Sequence, residues 1–181
     1  MSAPVYLDYA ATAPVDPRVA QRMGEVLRMQ LGNPAAAHVS GRAAFGVIEE
    51  ARADVAALVG AEARDIVFTS GATEANNLAI EGTVAAAQRQ HPRAAVHVVT
   101  LSTEHKSVLE PVRALARRGV QLTILQPDHE GRLSPATLAA ALTHQTRLVT
   151  LLHVNNETGV AQDLAALAEV CASRGVPLHI D

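Results

Sequence analysis

The sequence predicts an α/β domain with a mainly parallel sheet that is flanked by helices on both faces. From residue 65 onward, short apolar runs alternate with longer segments that have helical periodicity. The apolar runs are nearly continuous rather than alternating with polar residues, which is typical of strands buried on both faces. Polar or small-residue loops follow these runs, and ligands bind at such strand ends in open α/β sheets.

Two helices are predicted before this alternation begins. Asp16 is a predicted N-cap and Pro17 a predicted first helical residue, which starts a helix that runs to about Leu31. A Gly-Asn-Pro break follows, and the second helix runs from about Gly41 to about Leu58, before Gly60. We therefore divide the chain into an N-terminal arm with helices, residues 1–60, and an α/β domain, residues 61–181.

The α/β part is predicted to contain five strands and four helices in alternation. Ser134 and Pro135 open one of these helices with an N-cap and a first-turn proline. A turn at residues 128–131 interrupts the alternation. The predicted strands are 65–69, 95–101, 120–125, 147–154 and 176–180, and the predicted helices are 73–90, 104–118, 134–143 and 163–174.

Composition narrows the class of protein. The chain has 181 residues, of which 49% are hydrophobic and 18% charged, and this predicts a folded globular domain. No apolar run is long enough to cross a bilayer and no signal peptide is recognisable, so we expect a cytoplasmic protein without a membrane partner. The net charge of −3, without a basic cluster, argues against binding to nucleic acid. One cysteine, and histidines without ligand spacing, predict no metal site.

Residues 68–73 predict a phosphate-binding loop. A strand leads through a turn of small residues into a helix, where free backbone N–H groups and the positive end of the helix dipole attract anions. Thr73 adds a hydroxyl donor. The alternative is an ordinary tight turn in which Ser and Thr cap the helix. The loop lacks the Gly-Lys-Ser/Thr of a Walker A motif and the three spaced glycines of a dinucleotide fingerprint.

Three further side chains at strand ends complete a candidate cofactor site. The His105 imidazole can stack on a pyridine ring and move protons, although an isolated histidine in a first helical turn is often only solvent-exposed. The amide of Asn155 or Asn156 can donate to a phenolate-like oxygen, and Asn also favours turns. The Asp181 carboxylate can pair with a protonated pyridine nitrogen, or it can cap an element. Together with the phosphate loop, these residues predict a site for pyridoxal 5′-phosphate (PLP).

Five blocks of the sequence resemble cysteine desulfurases. These are PLP enzymes of the class V aminotransferase group, and the branch resembled serves iron–sulfur cluster and nitrogenase maturation. The resemblance covers nearly the whole chain in collinear order. The matching blocks are residues 6–15, 68–80, 103–106, 153–159 and 179–181.

The resemblance implies the N-terminal arm and most of the large domain of a fold type I PLP-dependent transferase. By the same resemblance, Ala72 and Thr73 bind the cofactor phosphate, and His105 stacks on the ring and assists proton transfer. Asn156 contacts the ring hydroxyl and Asp181 the pyridine nitrogen. The catalytic residue is therefore expected to be His105, with Ala72, Thr73, Asn156 and Asp181 as further cofactor contacts.

The implied reaction removes sulfur from L-cysteine, leaving L-alanine and an enzyme persulfide for iron–sulfur cluster assembly. The resemblance also implies a homodimer and a partner that is an iron–sulfur scaffold or a sulfur-acceptor protein. In the family, the Schiff-base lysine and the persulfide cysteine lie in segments that would follow Asp181. Lys106 and Cys171 are not expected to replace them. We therefore expect an N-terminal portion, with an incomplete PLP-binding domain, that is inactive alone.

Two alternatives stay open at this point. One is another class V PLP enzyme, such as a selenocysteine lyase or a transaminase. The other is a non-catalytic protein that keeps the fold in order to bind PLP or a desulfurase subunit. The residues after Asp181 in a complete protein would distinguish these alternatives.

Overall fold

The computed structural model of the chain describes residues 5–9 and 11–181. The predicted N-terminal arm begins with residues 1–4, and the motif at residues 6–15 includes Ala10; these five residues lie outside the described part. The chain divides after Phe68 into two compact units, of which the second is Thr69–Asp181. Each unit is described by itself. In the described ranges, no helix is both long and apolar enough to cross a membrane.

Helix α1 of the first unit is Pro17–Arg28. Asp16 caps it as predicted, since its carboxylate accepts from the Arg18 N–H at 2.8 Å and Pro17 is the first helical residue. The helix ends three residues before the predicted Leu31, because Met29 adopts an extended backbone.

Helix α2 of the first unit is Val39–Val59, which begins two residues before the predicted start. The His38 Nδ1 accepts from the Gly41 N–H at 3.1 Å, so a histidine acts as the N-cap. The helix ends where predicted. Gly60 has a φ of +68°, a left-handed conformation that favours glycine and closes the helix.

The strand predicted at residues 65–69 is wrong. A short 3₁₀ turn, Ala63–Asp65, overlaps only its first residue, and residues 66–69 have no regular structure and pair with no strand of the described chain. Val67 and Phe68 are 65% and 49% exposed. The Arg52 guanidinium lies 4.9 Å from the centre of the Phe68 ring. A β-branched and aromatic run becomes a strand only where a neighbour satisfies its backbone, which is why propensity alone misassigned this segment.

The second unit contains the other eight predicted elements. Their boundaries differ from the prediction by at most three residues, at the ends of both helices and strands. In chain order they are α3 Ala72–Gln90, β1 His97–Leu101, α4 Lys106–Arg117, β2 Gln121–Leu125, α5 Pro135–Ala141, β3 Thr146–Leu151, α6 Leu164–Ser173 and β4 Leu178–Ile180.

The four strands form one sheet in the order β2-β1-β3-β4, and all neighbouring strands are parallel. From β1 the chain moves outward to β2, whereas from β3 it moves to β4 on the other side. The strand order therefore reverses between β1 and β3. At such a switch point, the loops at the carboxyl ends of the two strands separate and leave a crevice.

Helices cover both faces of the sheet. Residues of α3 and α4 pack with Val98 and Leu148 on one face, and residues of α5 and α6 pack with Val99 and Val149 on the other. These four sheet residues are at most 2% exposed. Burial on both faces explains the continuous apolar runs in the sequence. The predicted fold class, a mainly parallel sheet flanked by helices, is confirmed.

Candidate functional site

Two hydrogen bonds connect the loops that leave β1 and β3 at the switch point. The Asn155 Nδ2 donates to the Thr103 carbonyl at 2.8 Å, and the Leu152 N–H donates to the Glu104 Oε1 at 2.8 Å. Since β1 ends at Leu101, the Leu152 N–H lies beyond the ladder between the two strands. A side chain of the neighbouring loop therefore takes the place of the missing strand partner.

The His105 ring is held in one orientation at this crevice. Its Nδ1 accepts from the Ser107 N–H at 3.1 Å, so that His105 is the N-cap of α4, and it also lies 2.7 Å from the Ser107 Oγ. A backbone N–H can only donate, so Nδ1 is the acceptor, and the neutral ring carries its proton on Nε2. The ring is half-buried.

A buried amide stabilises the Ser107 hydroxyl beneath His105. Asn76 in α3 donates from Nδ2 to the Ser107 Oγ at 2.9 Å. Asn76 and Ser107 are 3% and 7% exposed, so water competes little for this pair. The chain of contacts links α3 to the His105 ring. The sequence analysis assigned no role to either residue, although Asn76 lies within the matching block 68–80 and Ser107 directly follows the block 103–106.

Two open cavities meet at His105 and Lys106, which line both. The first has a volume of about 410 Å³ and includes Thr73 and Asn77 in its lining. The second has a volume of about 560 Å³ and includes Glu104 and Asn156. Of the predicted site residues, His105 thus shares one cavity with Thr73 and the other with Asn156. Ala72 and Asp181 line neither of these two cavities.

The N-terminus of α3 has no side-chain cap. Gly71 occupies the N-cap position, and no side chain accepts from the first turn. The five other α-helices of the described chain each have a capping side chain. Ala72 and Thr73 are exposed. The alternative in which Ser or Thr caps this helix is therefore wrong, and the N–H groups of the first turn are available to an anion.

Glu74 stabilises the loop before α3 instead of capping the helix. Its carboxylate accepts from the Ser70 hydroxyl at 2.5 Å and from the Ser70 N–H at 2.7 Å. The hydroxyl contact first, and then the backbone contact, lower the pKa of Glu74. These contacts fix Ser70, while the N-terminus of α3 has no side-chain cap.

Asn155 and Asn156 have different roles in the structure. The Asn155 Oδ1 accepts from the Glu157 N–H at 3.0 Å and from the Thr158 N–H at 2.8 Å, while its Nδ2 reaches Thr103. Asn156 is exposed and has no side-chain hydrogen bond within the described residues. Asn155 therefore orders the loop, and Asn156 presents a free amide to the larger cavity.

We expect Asn155→Ala to loosen this loop. The change removes the connection to Thr103 and the acceptor for two backbone N–H groups, and each lost hydrogen bond costs about 1 kcal/mol. Hydrogen exchange should accelerate at the Glu157 and Thr158 amides. The control is Asn156→Ala, which removes an amide of the same size; equal protection in both variants would contradict the assignment.

Asp181 follows β4 with its backbone fixed on both sides. Its N–H donates to the Leu151 carbonyl at 3.0 Å, and its carbonyl accepts from the His153 N–H at 3.0 Å. Asp181 is partly buried, and its carboxylate takes part in no hydrogen bond or salt bridge among the described residues. Its position is therefore set by backbone contacts at the carboxyl end of the sheet.

The sequence analysis also missed Glu104 as a buried ionisable residue. It is 6% exposed, and its Oε2 is buried without a hydrogen-bond partner in the described chain. Burial, with a smaller contribution from the negative charge of Asp181, raises its pKa to about 7, against the opposing contact with the Leu152 N–H. A Glu three residues after a mostly apolar strand is the signal that could have identified it.

Lys106 and Cys171 differ in accessibility. Lys106 is exposed at the first turn of α4 and lines both cavities. Cys171 is buried in α6 among residues of the core, and burial raises the pKa of its thiol, which disfavours the nucleophilic thiolate. The described residues contain no cluster of three or more His, Cys, Asp or Glu that could hold a metal ion.

The second unit is thus an α/β domain that combines an uncapped helix N-terminus, an oriented imidazole and a carboxylate without a hydrogen bond among the described residues. The chain belongs to the aminotransferase class-V family, whose profile matches residues 5–181.

Similar proteins are cysteine desulfurases. The chain is 49% identical over 184 residues to cysteine desulfurase IscS of Azotobacter vinelandii, and 48% identical to that of Ectopseudomonas mendocina. Each alignment covers 100% of this chain and 45% of the relative. The chain thus spans about half the length of the curated relatives it matches.

Solved structures agree with this family. The structure described as SspA in complex with cysteine has a TM-score of 0.88 and 36% identity, over 97% of this chain and 50% of that one. DndA from Streptomyces lividans has a TM-score of 0.82 and 42% identity, over 98% of this chain and 49% of that one. The fold is therefore shared with proteins about twice as long.

Proposed function

We propose that this chain forms part of a PLP-dependent cysteine desulfurase, which converts L-cysteine to L-alanine and transfers the sulfur to an enzyme persulfide. Relatives that cover the whole chain are named cysteine desulfurases, and one similar structure is a complex with cysteine. As parts of the same proposal, the complete protein is a cytoplasmic homodimer that supplies sulfur for iron–sulfur cluster assembly. Its partner would be a scaffold or sulfur-acceptor protein.

The observation that carries the proposal is the open N-terminus of α3 beside the oriented His105. Thr73 and His105 line one cavity, so an anionic group at the helix terminus would lie close to the imidazole. PLP has a phosphate, an aromatic ring and a ring nitrogen that can be protonated. The available N–H groups, the His105 ring and the free Asp181 carboxylate match these three groups, so the residues present fit PLP.

Each residue has a distinct role in the proposal. PLP, when bound, supplies an electron sink for bond cleavage in amino acids. The N–H groups of Ala72 and Thr73, with the Thr73 hydroxyl, bind the phosphate. Asp181 keeps the ring nitrogen protonated, and Asn156 donates its free amide to the ring hydroxyl. These contacts fix the position and the charge of the ring.

His105 is the proposed proton carrier. Because Nδ1 accepts from the Ser107 N–H, the neutral ring carries its proton on Nε2, and Nε2–H is the group that it would present to the substrate as a donor. To take up a proton, the ring would have to release the Nδ1 contact with the Ser107 N–H. The buried Asn76–Ser107 pair holds the imidazole plane in place, which favours stacking on the cofactor.

The proposal is tested on the complete protein that contains this chain. Purified protein with PLP and L-cysteine should release L-alanine, and it should release sulfide when a reductant is present. Parallel reactions with L-selenocysteine and with an amino acid plus a keto acid distinguish a selenocysteine lyase or a transaminase. If PLP binds with none of these reactions, the protein is a non-catalytic PLP-binding member.

We expect Thr73→Val to weaken PLP binding about tenfold or more, since a hydrogen bond to a charged group such as phosphate contributes about 1.5–3 kcal/mol. The change preserves side-chain shape and the backbone N–H. Thr137→Val is the matched control, because Thr137 is exposed in the first turn of α5. Equal PLP affinity of the two variants, measured by fluorescence titration, would remove Thr73 from the phosphate site.

A further inference from the structure

Glu104 lies between the two central strands at the switch point. Its Oε1 accepts from the Leu152 N–H at 2.8 Å, which fixes the carboxyl group against the end of β3. The residue also lines the larger cavity, next to His105. The contact therefore holds the ionisable Glu104 carboxyl group in the interior, at the cavity that His105 and Asn156 also line.

The surroundings of Glu104 disfavour a negative charge. The residue is 6% exposed, and Oε2 has no hydrogen-bond partner within the described residues. No Lys, Arg or His of the described chain forms a salt bridge with it. A buried carboxylate with one hydrogen bond and no cation is costly, whereas the neutral acid is tolerated.

Asp181 approaches the same backbone segment from the opposite side. Successive N–H groups of an extended segment point in opposite directions, so the Leu152 N–H meets Glu104 while the His153 N–H meets the Asp181 carbonyl. The Asp181 charge acts on Glu104 and on His179 of β4. The other charged or titratable groups around the cavity are His105, Lys106 and Glu157.

We propose that Glu104 is held as the neutral acid in mildly acidic solution, where an exposed carboxyl group is already ionised, so that the unpartnered Asp181 carboxylate is the group available to a cation. Burial favours the neutral form of a carboxyl group, and a nearby negative charge adds to this preference. Of the two groups, the more buried is Glu104, and the one without any partner is Asp181.

This inference rests on the proposed function for its role in catalysis. With Glu104 neutral, the charge available to a protonated ring nitrogen is that of Asp181 alone. Glu104 is then a positioning residue: it orders the Leu152 backbone through Oε1 and leaves the charge where the cofactor needs it. The protonation state of Glu104 does not itself require PLP.

The test follows the Glu104 carboxyl carbon by isotope-edited NMR in the 181-residue chain labelled with ¹³C-glutamate, without added PLP. Glu104→Gln assigns the signal by its disappearance. Glu110→Gln, a change of the same kind at an exposed residue of α4, should leave the Glu104 signal in place. Asp181→Asn then removes the neighbouring charge while keeping the side-chain shape.

The expected midpoint of the Glu104 titration is about 7 in the unaltered chain. In Asp181→Asn it should fall but stay above the ordinary 4.5, because burial is the larger cause. An ordinary midpoint in the unaltered chain would overturn the inference, and so would a midpoint that Asp181→Asn does not change. PLP binding is measured separately, so failure of the proposed function leaves this result unaffected.

Discussion

Replacing Asp181 by Asn in the complete protein should leave PLP bound while turnover falls by about one to two orders of magnitude. The variant keeps the shape of the side chain and the backbone contacts with Leu151 and His153. It removes the charge that is proposed to hold the ring nitrogen protonated. A charge-assisted hydrogen bond contributes about 1.5–3 kcal/mol, which corresponds to about a 10- to 150-fold change in rate.

The measurement combines PLP occupancy with the rate of L-alanine formation. Asp181→Glu should recover little, because the added methylene misplaces the carboxylate relative to a ring held by other contacts. Asp163→Asn is the matched control: Asp163 caps α6, and Asn caps a helix about as well as Asp. Near-normal turnover of Asp181→Asn at full occupancy would show that Asp181 does not hold the ring nitrogen.

Glu104→Gln should become more stable relative to the unaltered chain as the pH rises. Burial raises the pKa of Glu104 from 4.5 to about 7 in the folded chain. Between these values the folded chain keeps a proton that the unfolded chain releases, so the free energy of unfolding falls with rising pH and levels off above 7. Glutamine does not titrate. The relative gain should be about 2.5 kcal/mol between pH 5 and pH 8.

Urea unfolding at pH 5 and pH 8 measures this gain. His97 and His179, whose pKa values burial lowers, titrate in both proteins, so their contributions cancel in the comparison. Glu104→Leu does not titrate either but removes the acceptor for the Leu152 N–H, so it should be less stable than Glu104→Gln at both pH values, by about 1–3 kcal/mol. A constant difference between Glu104→Gln and the unaltered chain would contradict a raised pKa.

Local chemistry accounts for what the sequence predicted correctly. Asp16 with Pro17, and Gly60, determine helix ends through nearby backbone atoms, so these signals could be identified without the fold. The apolar runs predicted the parallel strands because a strand buried on both faces needs apolar residues throughout. The order of strands and loops then predicted that His105, Asn156 and Asp181 follow neighbouring strands.

Other features depended on partners distant in sequence. The run at residues 65–69 has strand propensity, yet it forms no strand because no neighbour pairs with it in the described chain. The Asn155 side chain orders its loop through a carbonyl 52 residues away. Neither outcome is encoded in the local residue pattern, since both depend on which backbone groups meet in three dimensions.

The sequence by itself determined the fold class, the family resemblance and the candidate residues, because each depends on residue type, spacing and order along the chain. Only the tertiary structure decided which of these groups have hydrogen-bond partners within the chain and which do not. It engaged the His105 Nδ1 with Ser107, left the α3 terminus uncapped and enclosed Glu104 beside the Leu152 backbone. The protonation of a side chain, and whether it can bind a ligand, depend on its burial and its hydrogen-bond partners. Those partners come together only when the chain folds.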